Sequence, residues 1–336
     1  MKHGGILQPK AVSAMDLDRP NAPATLSVPP EPRTQIMETP RKKTKGPEIG
    51  LHQAKRLCQL DSERRLEFIA EGLPVILRSA KDFWESSQQL RRSFAREAKV
   101  LEGFAKEEAA KILILMDVAR CPPKLVSSRL SRMIGWFYDH LARLIYAEAV
   151  GWRPMHLAQL REYVDRQRRG HFLEGHAGEY ILPNWTIYQR ESRLYADVEA
   201  HQDDTLAWNS PAHAYSGHDW LDTFVPVALQ VASAMERVGM FKPAGLRAVS
   251  DIWGGLDYVD REDHHDGQRL TERLLARLLD EGLPLETAQQ DDVAMLYRNW
   301  QIPMYNLDFS LIPVSLEELE AAQEREYWSM VGDPRY

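Results

Sequence analysis

Three groups of polar residues in this 336-residue chain have the types and spacing for proton transfer or for holding an anion. The first is Glu107-Glu108-x-x-Lys111. Glu107 and Lys111 stand four residues apart in the orientation that stabilises a helix, which reads as a solvated face. Glu108 falls nearer the apolar positions, seven residues after Leu101 and four before Ile112, where a carboxylate needs a partner. The second group is Asp139-His140-Leu141-Ala142-Arg143. On a helix His140 and Arg143 share a face, and Asp139 can reach Arg143. A histidine between an acid and a cation can move a proton near neutral pH, and the cation can meet charge developing on a phosphodiester. The same set also reads as a hydrogen-bonded structural histidine. The third group is a pair of arginine–histidine spacings, Arg166-x4-His171 and Arg169-x6-His176, at a helix end marked by Gly170. Such spacings arise readily by chance in a chain with 42 Lys/Arg and 11 His.

Metal chemistry has less to draw on. Asp263-His264-His265-Asp266 raises the question, but adjacent histidines on a helix point about 100° apart and rarely share an ion. A charged connector is the expected structure. Cys58 and Cys121 show no CxxC spacing, so neither a zinc site nor a disulfide scaffold is expected, and no cofactor is indicated.

The elements that must position these groups are helical. Leu73, Ile76, Leu77, Ala80, Phe83, Trp84 and Ser87 recur on one face, predicting a helix near 68–89. Ser93 is a plausible cap for a second helix near 94–118, with Phe94, Ala98, Leu101, Ala105, Ile112, Leu115 and Met116 as its stripe. Cys121-Pro122-Pro123 ends it, and a third helix is predicted over 127–149, carrying both Arg132 and His140. Helix-like sequence returns over Met155–Arg168, at 219–238, at Pro243–Trp253 and at Leu270–Leu279. Tyr180 to Pro211 reads as an ordered loop or short hairpin, and Gln301–Pro313 as an extended patch. Ser315 with Glu318 opens a final helix. The fold class expected is all-α: an antiparallel bundle over 60–255 and a mostly helical extension over 256–336.

Composition bounds the rest. The chain is 44% hydrophobic and 27% charged, ordinary for a globular protein that needs no staples. Residues 1–48 hold eight of the twenty prolines and eight Lys/Arg against five Asp/Glu, which predicts a disordered tail with net charge +3. The net charge of −7 therefore leaves −10 elsewhere, and no global basic field announces a nucleic-acid binder. No run of 18 apolar residues occurs and the N-terminus has no apolar signal core, so a cytoplasmic protein without membrane contact is expected.

The order of features resembles the abortive-infection V (AbiV) family. Gly72 with its long apolar helix, then Ala98 to Lys111 with Glu-Glu-x-x-Lys, looks like the opening of those proteins. The aromatic-x-Asp-His-x-x-Arg segment at Phe137–Arg143 is similar to their next motif. Arg190-Glu-Ser-Arg-Leu-Tyr195-Ala-Asp197, followed by Trp208-Asn-Ser-Pro211, is similar to the third. The resemblance spans about 140 residues and does not reach 1–60 or most of the chain after 255. It implies membership of the HEPN superfamily (higher eukaryotes and prokaryotes nucleotide-binding), antiparallel helical bundles that commonly pair as homodimers. Many of these are metal-independent ribonucleases whose signature is an arginine, four to six residues, then a histidine. Here the nearest arginine before His140 is Arg132, one position too far.

Two functions are carried forward from this resemblance. In one, the chain is an RNA-cleaving anti-phage effector in which His140 acts as base and acid. Arg132 or Arg143 would then stabilise the phosphate, while Asp139 or Glu108 holds the cation or the histidine; Arg166 and His171 are the second choice. In the other, it is a non-catalytic HEPN module that binds a nucleotide or a protein partner, an antitoxin or a phage-derived protein among them.

Overall fold

Asp61 opens the first helix by accepting the Arg64 amide at 2.9 Å, and α1 runs Ser62–Leu90. Its buried face includes Leu73, Leu77, Ala80, Trp84 and Ser87, with Ile76 and Phe83 partly buried against the same core, as the periodicity predicts. The computed structural model describes residues 52–176, 178–200, 205–211 and 224–331, so the tail expected at 1–48 lies outside the described residues. Four residues separate α1 from α2, Ala95–Arg120, and the two lie against each other as an antiparallel hairpin. Phe94, not Ser93, holds the cap position of α2, and its ring is exposed.

The predicted third helix is two helices, α3 (Pro123–Trp136) and α4 (His140–Ala149). Pro123 starts α3 early, since its fixed φ and missing amide suit the first helical position. Asp139 then breaks the run. Its backbone is extended and its carboxylate accepts the Ala142 amide at 2.8 Å, a local bond that competes with continuing the helix. His140 therefore begins α4 instead of lying inside a long helix.

After α5 (Leu157–Gln167) comes a hairpin of β1 (His171–Glu174) and β2 (Tyr180–Pro183), with His171 opposite Pro183. The segment expected to be loop or hairpin contains α6 (Trp185–Leu194) and a second hairpin, β3 (Asp197–Ala200) with β4 (Leu206–Asn209). Asn184 explains the unexpected helix. Its Oδ1 accepts the Ile187 amide at 3.0 Å, while its Nδ2 donates to the carbonyls of Gln167 at 2.8 Å and Arg169 at 2.7 Å. This buried side chain starts α6 and ties it to the end of α5.

The remaining helices are α7 (Val227–Arg237), α8 (Pro243–Trp253), α9 (His264–Asp280), α10 (Gln290–Asn299) and α11 (Leu316–Val331). The expected connector at 260–267 gives way to helix at His264, because Asp263 and Asp266 form a capping box. Gln289 and Asp292 do the same for α10, a helix not expected from the sequence. Ser315 Oγ accepts the Glu318 amide at 3.2 Å at the start of α11.

The fold is all-α, with only two two-stranded antiparallel sheets among the described residues. Residues beyond 255 belong to the same core: Trp300, Tyr305 and Phe309 are buried within it, and Gly50–Tyr336 forms one compact unit. Buried Asp117 accepts the Met304 amide at 2.7 Å, the Tyr146 hydroxyl and the Arg120 guanidinium. Arg120 in turn donates to the carbonyls of Trp300 at 3.3 Å and Ile302 at 3.2 Å. The boundary expected near 255 has no counterpart in this packing. No helix among the described residues is long and apolar enough to cross a membrane.

Candidate functional site

Helices α2, α4 and α6 meet around one carboxylate, that of Glu107. Its side chain is only 4% exposed, and three side-chain nitrogens lie within hydrogen-bond reach of it. Arg190 Nε of α6 lies 2.8 Å from Oε1; Arg143 Nη2 and His140 Nδ1 of α4 lie 2.9 and 2.8 Å from Oε2. A lone carboxylate at this depth would be strongly destabilising, and two guanidinium groups compensate it. Burial pushes the Arg190 guanidinium down, but its hydrogen bonds and charge pairing with Glu107 and Glu191 outweigh that and hold it above its ordinary value.

His140 is the solvent-facing member, with about half of its side chain exposed. Its Nδ1 is also 2.7 Å from Arg143 Nη2. One nitrogen cannot serve both neighbours at once. With a proton on Nδ1 it donates to Glu107, leaving Nε2 a bare acceptor; without one it accepts from Arg143, and Nε2 carries the proton. The two neighbours thus suit the two neutral tautomers of the ring, which differ in whether the outward nitrogen is a bare acceptor. Arg143 is further held by donating Nε to the Asp139 carbonyl at 3.3 Å.

A cavity of about 310 Å³ adjoins the cluster, between α2, α4, α5 and α6. Lys106, Glu148, Tyr163, Trp185 and Arg193 line it beside Glu107 and Arg190. Trp185 is half exposed and stacks on Tyr188 with ring centroids 6.0 Å apart. Gly103 borders open space on the α2 wall, since a Cβ there would touch nothing within 4 Å. Burial lowers the Lys106 ammonium, but Glu148 and Glu102 outweigh it and raise it above its ordinary range.

Of the residues predicted for chemistry, the structure brings His140 and Arg143 together and places Asp139 directly before them. Asp139 acts through its carbonyl on Arg143 and spends its carboxylate on the helix cap. Glu108 and Glu107 exchange the expected parts. Glu108 pairs with Lys111, whose Nζ lies 5.3 Å over the Phe137 ring, whereas Glu107 is the buried acid. The reason is that α2 is covered on more than one side, so a single apolar stripe does not mark all of its buried positions. Arg132 is on α3, donating Nη2 to the Tyr305 carbonyl at 3.2 Å and lying over the Trp136 ring. Arg166 is exposed and pairs with Glu162 at 3.5 Å, and His171 is an exposed residue of β1; neither joins the Glu107 cluster.

Glu107 and Arg190 were not singled out as site residues. Both nevertheless lie in segments that carry the resemblance, so each of its three motifs contributes at least one side chain to the cluster. His264 and His265 sit at the start of α9 with rings 3.8 Å apart, and among the described residues no three metal-binding side chains converge. Comparison with known proteins found no matching family model, no matching curated protein and no matching solved structure.

Proposed function

We propose that this chain is an abortive-infection-type effector of HEPN-like build that cleaves RNA without a metal at the Glu107–His140–Arg143–Arg190 cluster. The observation that carries the reading is a half-exposed histidine whose inner nitrogen faces both a buried carboxylate and a guanidinium. In the reaction, His140 Nε2 takes the proton from a ribose 2′-hydroxyl. The 2′-oxygen bonds to the adjacent phosphorus, and the bond from phosphorus to the 5′-oxygen breaks. The proton then passes from Nε2 to the departing 5′-oxygen, leaving a cyclic phosphate. Glu107 orients the ring, Arg143 faces the charge that develops on the phosphate, and Trp185 offers a stacking surface for a neighbouring base.

One bundle supplies few free cations for this task, because Arg143 and Arg190 already hold Glu107. The proposal therefore includes a homodimer in which His140 and Arg143 of both copies line one cleft, as twofold pairing sets a patch opposite itself. The protein is proposed to work in the cytoplasm, in phage defence, where an antitoxin or phage-derived protein would be its regulator. The engagement of both guanidinium groups by Glu107 also favours a second reading, a non-catalytic HEPN module that binds a nucleotide or a protein.

Incubating total RNA with purified protein in EDTA separates the two. Cleavage that disappears in His140→Ala and on a 2′-deoxy substrate supports the nuclease, with light scattering reporting a dimer. Intact RNA, or equal cleavage by His140→Ala, overturns it and leaves the binding module.

A further inference from the structure

A second cavity of about 310 Å³ lies among α2, α4, α5, α9 and α10, and it differs from the first in its charges. Arg120, Arg153, Arg298 and His264 line it, and no aspartate or glutamate among the described residues does. That is unusual in a chain with 49 Asp/Glu against 42 Lys/Arg. Arg120 is neutralised from behind by Asp117. Among the described residues Arg153 makes only a long bond, 3.5 Å from Nε to Asn299 Oδ1, and Arg298 makes no ion pair. His264 Nδ1 lies 3.3 Å from the Met155 carbonyl; a proton there would leave Nε2 available as an acceptor. The floor is apolar: Leu113, Tyr146, Leu160, Trp300 and Met304.

The α9 wall is set by Gly267, where an added Cβ would fall 2.0 Å from the Gln301 carbonyl oxygen, so only glycine admits so close an approach. Trp300 is 2% exposed, with the Arg120 guanidinium 4.4 Å from its ring centroid. Arg153 and Arg298, without a carboxylate partner among the described residues, together with apolar lining are complementary to a molecule with an anionic head and an apolar body. The volume suits a small ligand.

We propose that this cavity binds a small organic anion, its phosphate or carboxylate head held by Arg153 and Arg298 and its flat or apolar body lying on Leu160 and Trp300. The site is separate from the Glu107 cluster and does not depend on the function proposed for it. Calorimetric titration of the full chain tests the assignment, using phenyl phosphate and benzoate with phenol and benzyl alcohol as their neutral counterparts. The expected result is that at least one anion binds, that its neutral counterpart binds at least about tenfold more weakly, and that added salt weakens the anion. Arg298→Glu and Arg153→Gln change exposed side chains; each should weaken that anion by about tenfold with the melting temperature unchanged, while His140→Ala leaves it alone. Equal binding of charged and neutral partners, unchanged affinity in both arginine variants, or no binding of either anion at millimolar concentration would overturn the proposal.

Discussion

Helix α2 carries three buried carboxylates, Glu102, Glu107 and Asp117, and the difference between the last two separates a structural network from a candidate site. Asp117 is fully buried, and so are its partners Arg120 and Tyr146. Burial, and then the Asp117 charge, hold the Tyr146 hydroxyl well above its ordinary range, so it stays a donor. Every member of that network is consumed, and the network joins the C-terminal segment to the bundle. Glu107 is nearly as deep, but its partner His140 opens to solvent with one ring nitrogen unengaged among the described residues. A buried charge with buried partners can only hold the fold together. A buried charge with one exposed titratable partner can set what that partner does.

Breaking the Asp117 network should give the largest effect. Arg120→Met leaves a carboxylate in the core without its cation and should cost about 3–5 kcal/mol in urea unfolding. A loss under about 1 kcal/mol would mean that water reaches Asp117 and that the two acids are alike. Glu107→Gln keeps the shape but removes the charge facing Arg143 and Arg190. Because the rim is open to water, the stability loss should be smaller, about 1–3 kcal/mol. If the proposed nuclease reading holds, RNA cleavage should fall together with it, since in that reading Glu107 orients the histidine.

His140→Ala should sharpen the contrast. Its half-exposed ring contributes little to folding, so a stability change within about 0.5 kcal/mol is expected, against a loss of about 10²–10⁴-fold in the cleavage rate that the proposed function calls for. A variant that lost stability and kept activity would reverse the assignment of the two acids. The smallest effect is expected at a third ion pair, Arg237–Asp292, between α7 and α10. Burial raises the Asp292 carboxyl, but hydrogen bonds from Arg237 and the Gln289 amide outweigh it and leave it below its ordinary value. A depressed folded value gives stability that is present above the unfolded value of about 3.9 and lost as pH falls through the folded one. Denaturation curves from pH 5 to pH 2 should therefore show an acid loss that is smaller in Asp292→Asn by about 1 kcal/mol or less, since Asp260, Asp263 and Asp308 are also held below their ordinary values.

Local pattern alone determined much of this protein. The α1 face from Leu73 to Ser87, the span of α8 and the capping Ser315 can all be read from residues within a turn or two of one another. His140 and Arg143 share a face for the same reason, because three residues nearly complete a helical turn. The break at Asp139, the α6 helix after Asn184 and the start of α9 were equally local, but each turned on a side chain choosing a backbone amide over solvent. What only the tertiary structure decided is which charge meets which. Glu107 lies 33 residues from His140 and 83 from Arg190, and Asp117 lies 187 from Met304. Periodicity says that a residue faces inward on one helix; it does not say what other element arrives there. For α2, covered from several sides, that arrival made Glu107 the buried acid and left Glu108 to pair with Lys111.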